Sequence, residues 1–187
     1  MTDFNIHTII AAVRCKSELE AALLSGVQMI FDLCPNIITL REVVEKVHAK
    51  DKKLLIHLDL AEGIGKDRCG IEYAKSIGVD GIISTRVNII RSAKELGLFT
   101  VQRFFIVDSH SIETTIDSLR ASKTDMIEIM PGVVYKVIER LRSMTGVPII
   151  AGGIIDSRCE IEKALASGAT AISTGKKELW ETVYELS

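Results

Sequence analysis

The chain has 187 residues, 47% of them apolar, 26% charged and only 5% aromatic, which predicts a globular protein with an aliphatic core. A formal net charge of −2 and a pI near 6.1 exclude a protein held to a nucleic-acid backbone by its overall charge, although a local basic patch stays open. Cys15, Cys34, Cys69 and Cys159 form no C-x-x-C pair and no His cluster joins them, which argues against a zinc site or a disulfide framework and for reduced thiols in a cytoplasmic protein. Neither a signal-peptide core nor an apolar run of membrane-spanning length occurs.

Short apolar runs alternate with longer amphipathic stretches along the chain. A strand at Ile9–Val13 precedes a helix over Ser17–Ser25. Met29–Leu33 precedes Thr39–Lys50, and Leu54–Asp59 precedes Cys69–Ile77. Gly81–Ser84 leads to Asn88–Leu96, and Thr100–Phe104 to a helix over Ser109–Ser122 with Ser109 as its N-cap candidate. Met126–Ile129 leads to Val133–Met144, where Val133, Val134, Val137, Ile138 and Leu141 recur at helical spacing. Pro148–Ala151 is followed by Ser157–Ser167, and Ala171–Ser173 by Lys176–Tyr184. Gly26, Gly78, Gly97 and Gly168 each stand between a helix and the next strand, where a left-handed C′ residue ends a helix.

Eight strand–helix units in one chain predict a parallel sheet closed into a (β/α)8 barrel of the TIM type, a single domain over residues 1–187. Such barrels need about 200 residues, so the loops must be short. A doubly wound open sheet is the alternative.

Barrels of this kind bind ligands at the carboxyl ends of their strands. Gly152 and Gly153 follow the seventh strand, and Ser173, Thr174 and Gly175 close the eighth. Glycines let backbone amides approach a phosphate, and a helix starting near Lys176 aims further amides at the same place. The plain alternative is a pair of tight turns. Arg14, Arg86 and Arg103 stand at or just past strand ends, where a fork of donors suits a phosphate or carboxylate. They could equally pair with neighbouring acids. Asp32, His57, Asp59 and Glu128 supply polar contacts for the rest of a ligand. If the third strand runs through Asp59, His57 and Asp59 share one of its faces. No lysine stands at proton-transfer spacing from Asp59 or Glu128, so a catalytic pair is not apparent. No nucleophile elbow, P-loop, cofactor motif or metal constellation occurs.

Five segments in order carry a family resemblance: HLDLAEGIGKDRCG at 57–70, GIISTR at 81–86, VQRFFIVD at 101–108, IEIMPGV at 127–133 and PIIAGGII at 148–155. Together they resemble the glycerol uptake operon antiterminator regulatory proteins over nearly the whole chain. The resemblance implies a bacterial cytoplasmic regulator with glycerol 3-phosphate as effector. It implies action on the leader messenger RNA of glycerol-metabolism genes, preventing premature termination. The family's strand-end residues fall on Arg14, Asp59, Arg86, Arg103, Glu128, Gly152, Gly153 and Thr174. The residues do not announce an RNA surface: no stacking platform is evident, and the densest basic run, Lys46, Lys50, Lys52 and Lys53, reads as a solvated face. Two other readings stay open. One is a phosphate-binding barrel enzyme (an isomerase, lyase or transferase) acting on a glycerol or sugar phosphate. The other is a metabolite-binding barrel that acts through a protein partner. The oligomeric state is not legible.

Overall fold

A computed structural model describes residues 8–181. The strands are β1 (Thr8–Val13), β2 (Met29–Asp32), β3 (Lys53–His57), β4 (Gly81–Ser84), β5 (Phe99–Phe105), β6 (Met126–Met130), β7 (Ile149–Gly152) and β8 (Ala171–Thr174). The helices are α1 (Lys16–Leu24), α2 (Leu40–His48), α3 (Arg68–Ser76), α4 (Val87–Glu95), α5 (His110–Ser122), α6 (Tyr135–Met144) and α7 (Arg158–Ala166). Each strand pairs in parallel with the next, and β8 returns to β1, so the sheet is a closed (β/α)8 barrel.

Three local expectations are corrected. The third strand stops at His57, and Leu58–Leu60 turn into a 3-10 helix. Asp59 therefore leaves the two-residue alternation, and it shares no strand face with His57. The helix expected over Lys176–Tyr184 begins as a single 3-10 turn, Lys177–Leu179, and its last three residues lie outside the described residues. Gly78, Gly97 and Gly168 take the left-handed conformation, with φ of +95°, +78° and +96°. Gly26 does not, because α1 ends on an extended Ser25 that already bends the chain toward β2.

Alternation along each strand sorts the core into two layers. Ile10, Ala12, Met29, Phe31, Leu33, Leu55, Ile83, Val101, Met126, Ile150 and Ala171 cluster inside the barrel. The intervening positions, such as Ile9, Ile30, Ile56, Ile82, Ile127 and Ile149, pack outward with Val44, Ile71, Ile89, Ile138 and Ile161 of the helices. With both faces covered, segments such as Ile9–Val13, Leu54–Ile56 and Ile149–Ala151 read as continuous apolar runs.

The same alternation dictates what closes the carboxyl end. Two residues beyond Leu55, Val101, Met126 and Ala171 stand His57, Arg103, Glu128 and Ser173, all buried. Arg14 follows Ala12 and Gly152 follows Ile150 by the same step. The apolar interior is thus capped by one polar layer drawn from different strands.

Helix starts behind this layer are firmly set. Asp67 accepts a hydrogen bond from the Gly70 amide at 3.0 Å and caps α3. Ser157 caps α7 through the Glu160 amide, while Glu160 reaches back to the Asp156 amide at 2.8 Å. This is a capping-box arrangement displaced by one residue, and it shapes the loop after β7.

Candidate functional site

A cleft of about 310 Å³ opens at the carboxyl end of the barrel, between the β7 and β8 loops and the polar layer. It is lined by Arg14, Arg103, Glu128, Gly153, Ser173, Thr174 and Gly175 among the residues expected from sequence.

The floor is ionic. β5 and β6 pair Arg103 directly with Glu128, and Arg103 Nε donates to Glu128 Oε2 at 2.6 Å. Arg103 is 6% exposed and Glu128 1%. Gly152 does not line the cleft. It makes the floor possible, because a Cβ there would press on the Glu128 carboxyl, 3.0 Å from its carbon.

One wall is backbone. Gly153 (φ +72°) and Ile154 (φ +56°) turn in the left-handed region, and the Gly153 carbonyl accepts from the Gly132 amide at 2.9 Å, tying the β6 loop to the β7 loop. The amides of Gly153, Ile154 and Gly175 enter no hydrogen bond among the described residues. Thr174 is committed to structure: its hydroxyl donates to the Ile155 carbonyl (2.9 Å) and accepts from the Lys176 amide (3.1 Å). Its carbonyl accepts from Trp180 Nε1 at 2.9 Å. Thr174 therefore shapes the β8 turn. At the rim, Lys176 Nζ lies 3.7 Å from Asp156 Oδ1.

Arg14 completes the cleft. Its guanidinium would meet a Cβ at Gly175 at 3.9 Å, and it has no ion-pair partner among the described residues. One cation without a carboxylate and three unused amides make this wall suited to an anion.

The other expected residues lie around the cleft. Asp59 accepts from Ser84 Oγ (2.9 Å), the Thr85 amide (2.8 Å) and Thr85 Oγ1 (3.0 Å). Arg86 Nε stands 3.5 Å from its carboxylate. Burial works to raise the Asp59 carboxyl, but the bonds from Thr85 and Ser84 outweigh it and hold it below its ordinary value. Asp59 and Arg86 thus bind β3 to β4. His57 is 3% exposed, and its Nδ1 has no partner among the described residues. Burial, then the nearby Arg103 charge, push its pKa down to about 4, so the ring is neutral at pH 7. Among the described residues no group of three or more His, Cys, Asp or Glu could hold a metal ion, and no helix is long and apolar enough to cross a membrane.

Asp32 lines a neighbouring cleft of about 290 Å³ with Arg14, Cys15, Lys16, Cys34 and Lys46. Burial raises its pKa from 3.8 to about 6, against a hydrogen bond from the Cys34 amide. Between those values the folded state holds the extra proton, so this group lowers stability as pH rises from 3.8 to about 6. Asp32→Asn should therefore stabilise the protein at pH 7 by about 1–2 kcal/mol, a figure reduced for its partial exposure, and change little at pH 4. Urea unfolding at both pH values reads this, and an equal effect at both would exclude the protonation account. His57 acts with the opposite sign, its contribution being complete above 6.5 and lost toward about 4. The variant's stability should consequently rise with pH across a range where the wild-type profile is flatter.

Sequence reasoning missed Lys176, Asp156 and Met130 as lining residues. Lys176 was legible as the residue after the Ser-Thr-Gly turn. Asp156 and Met130 were not, because their place depends on how the β6 and β7 loops cross.

Closed topology and a polar cleft over the last two strands define a (β/α)8 barrel of the ligand-binding kind. A sequence model of the glycerol-3-phosphate responsive antiterminators matches residues 9–180, and the chain belongs to that family. It is 34% identical over 181 residues to the uncharacterized protein YgcP of Escherichia coli (strain K12), covering 96% of this chain and 95% of that one. The crystal structure of a glycerol uptake operon antiterminator regulatory protein from Listeria monocytogenes superposes with a TM-score of 0.90 at 32% identity, covering 96% and 97% of the two chains. An antiterminator-related protein from Thermotoga maritima superposes at 0.85 with 28% identity, covering 95% and 99%. Orotidine 5′-phosphate decarboxylase from Pyrococcus horikoshii, at 15% identity and a TM-score of 0.68, shares the fold alone.

Proposed function

We propose that the protein is a cytoplasmic sensor of glycerol 3-phosphate that acts as a transcription antiterminator on leader RNA. Membership in a glycerol-3-phosphate responsive antiterminator family supports this effector and this regulatory class. The observation that carries the ligand end is Arg14, without an ion-pair partner among the described residues, lining one cleft with the Gly153, Ile154 and Gly175 amides that enter no hydrogen bond among those residues. On this reading those groups hold the phosphate, with Lys176 at the rim. The hydroxyls of the three-carbon moiety turn toward Ser173, Arg103 and Glu128.

The same geometry favours a sensor over an enzyme. Asp59 has its acceptors filled by Ser84 and Thr85, and Glu128 is locked on Arg103. Each carboxylate thus already orients a neighbouring group, Asp59 the β4 turn and Glu128 the Arg103 side chain, which favours a binding role for both. The basic run of α2 and β3 is also committed. Lys46 pairs with Glu42, Lys53 with Asp80, and Lys52 Nζ bonds the Ser25 carbonyl at 2.7 Å. Three of the four lysines are thus engaged within the protein, which supports reading the run as a solvated face.

The test is a leader-RNA titration at fixed salt with and without glycerol 3-phosphate. Effector should raise RNA affinity about tenfold or more, and RNA should raise effector affinity by the same factor, as coupling between sites requires. Equal RNA affinity in both titrations would overturn the antiterminator reading, while effector binding by calorimetry separately tests the cleft.

A further inference from the structure

We propose that Cys15 and Cys34 form an oxidation site in the second cleft, closing to an internal disulfide that draws Arg14 away from the β8 turn. The barrel register places the two thiols together. Val13 and Asp32 are partners across β1 and β2, and the Leu33 amide extends the ladder by bonding the Val13 carbonyl at 2.9 Å. Each cysteine stands two residues beyond its member of that pair. Both lie just past the strand ends, and both line the cleft that Asp32 also lines. A disulfide needs the two Cα atoms about 4.4–6.8 Å apart, so closing the bridge draws the two loops together across this cleft. Both thiols are exposed and free, and both line the same 290 Å³ cleft.

The two thiols have different parts. Cys15 is the N-cap of α1, so its sulfur sits at the positive end of a helix, where thiolate is favoured. Its Sγ lies 3.2 Å from Ser17 Oγ. The Ser17 hydroxyl, then the Glu18 amide, hold this thiol below its ordinary range. Cys34 sits in the turn that Asp32 closes through the Cys34 amide and serves as the resolving thiol. With hydrogen peroxide as oxidant, the Cys15 thiolate attacks one peroxide oxygen, giving the sulfenic acid and releasing hydroxide. The Cys34 thiolate then attacks the Cys15 sulfur. The S–O bond breaks, the disulfide forms, and hydroxide leaves and is protonated to water. Cys15 and Cys34 together lose two electrons and the peroxide gains them.

Arg14 transmits the change because it lines both clefts. It is bonded in sequence to Cys15, and its own amide is held by Glu18 Oε2 at 2.6 Å. A bridge to the β2 loop pulls this segment off the mouth of the barrel. The effect on effector affinity rests on the sensor reading above; the disulfide itself does not.

The experiment treats the full chain with hydrogen peroxide and maps disulfides by mass spectrometry without reduction, in wild type, Cys15→Ser and Cys34→Ser. A Cys15–Cys34 crosslink reversed by dithiothreitol is expected, and in Cys34→Ser a dimedone adduct on Cys15. Oxidation that falls on Cys69 or Cys159 instead, or a crosslink that involves either, overturns the site. Amide exchange over residues 12–18 should change on crosslinking, and glycerol 3-phosphate affinity should fall about tenfold, with Cys34→Ser insensitive. A crosslink that leaves both readouts unchanged overturns the link to Arg14. Reduced protein that fails to bind glycerol 3-phosphate sinks the sensor reading, while mass mapping and exchange still decide the disulfide and its effect on Arg14.

Discussion

Glu128→Ala is expected to cost about 3–5 kcal/mol of folding stability, the cost of stranding a buried charge. Arg103 is 6% exposed and its Nε donates to Glu128 Oε2 at 2.6 Å. Around it stand the apolar interior of the barrel and a His57 ring already neutral at pH 7. Neither can take the place of the carboxylate, and a guanidinium does not lose its proton to escape. The complementary variant separates the charge from the packing. Arg103→Met with Glu128→Leu fills similar volume with no charge to satisfy, and it should recover stability to within about 1 kcal/mol of wild type. Urea unfolding of the three proteins decides the matter. A single variant that loses less than about 1 kcal/mol would mean that water from the cleft solvates Arg103. The double variant should at the same time lose effector binding, because the pair is the polar floor of the cleft. That pair of outcomes would mean that the ion pair is kept for recognition at little net gain in stability.

Gly152→Ala should reduce affinity for glycerol 3-phosphate about a hundredfold or more, equivalent to ~2.7 kcal/mol. A methyl group at this position meets the Glu128 carboxyl, with 3.0 Å to Cδ and 3.1 Å to Cγ. A free carboxylate would swing aside, but Glu128 is bound to Arg103, so the pair must shift into the cleft or break. Calorimetric titration reads the loss. Gly153→Ala should behave similarly for a second reason, since φ of +72° strains any L side chain and its Cβ would lie 2.6 Å from Met130 Cε. Gly175→Ala is the contrasting variant: its Cβ finds ordinary contacts, 3.5 Å from the Ala12 carbonyl and 3.9 Å from Arg14 Nη1. Its thermal unfolding should match wild type. If Gly152→Ala bound glycerol 3-phosphate as wild type does, the floor of this cleft would not be the effector site.

The barrel was legible in the amino-acid order. Eight largely aliphatic runs such as Leu54–Ile56 and Ile149–Ala151, separated by helical periodicity, can bury both faces only in a parallel sheet, and period two is a local property of the strand. Positions near strand ends, among them Arg14, Arg103, Glu128 and the two glycine-bearing turns, followed from the same reading. Side-chain partnerships did not. Asp59 lay within the expected third strand, yet a 3-10 turn carries it to Ser84 and Thr85, 25 and 26 residues away. Asp32 and Glu128 looked like members of one pocket, yet Asp32 faces outward into the second cleft because Phe31 and Leu33 take the interior. Cys15 and Cys34 carried no motif and line one cleft only because β1 and β2 are neighbours in the barrel. Periodicity reports which face a residue occupies. Strand stagger and loop crossing, which act between segments far apart in the chain, choose its neighbours. Arg103 and Glu128 are 25 residues apart, and only the pairing of β5 with β6 makes them a site.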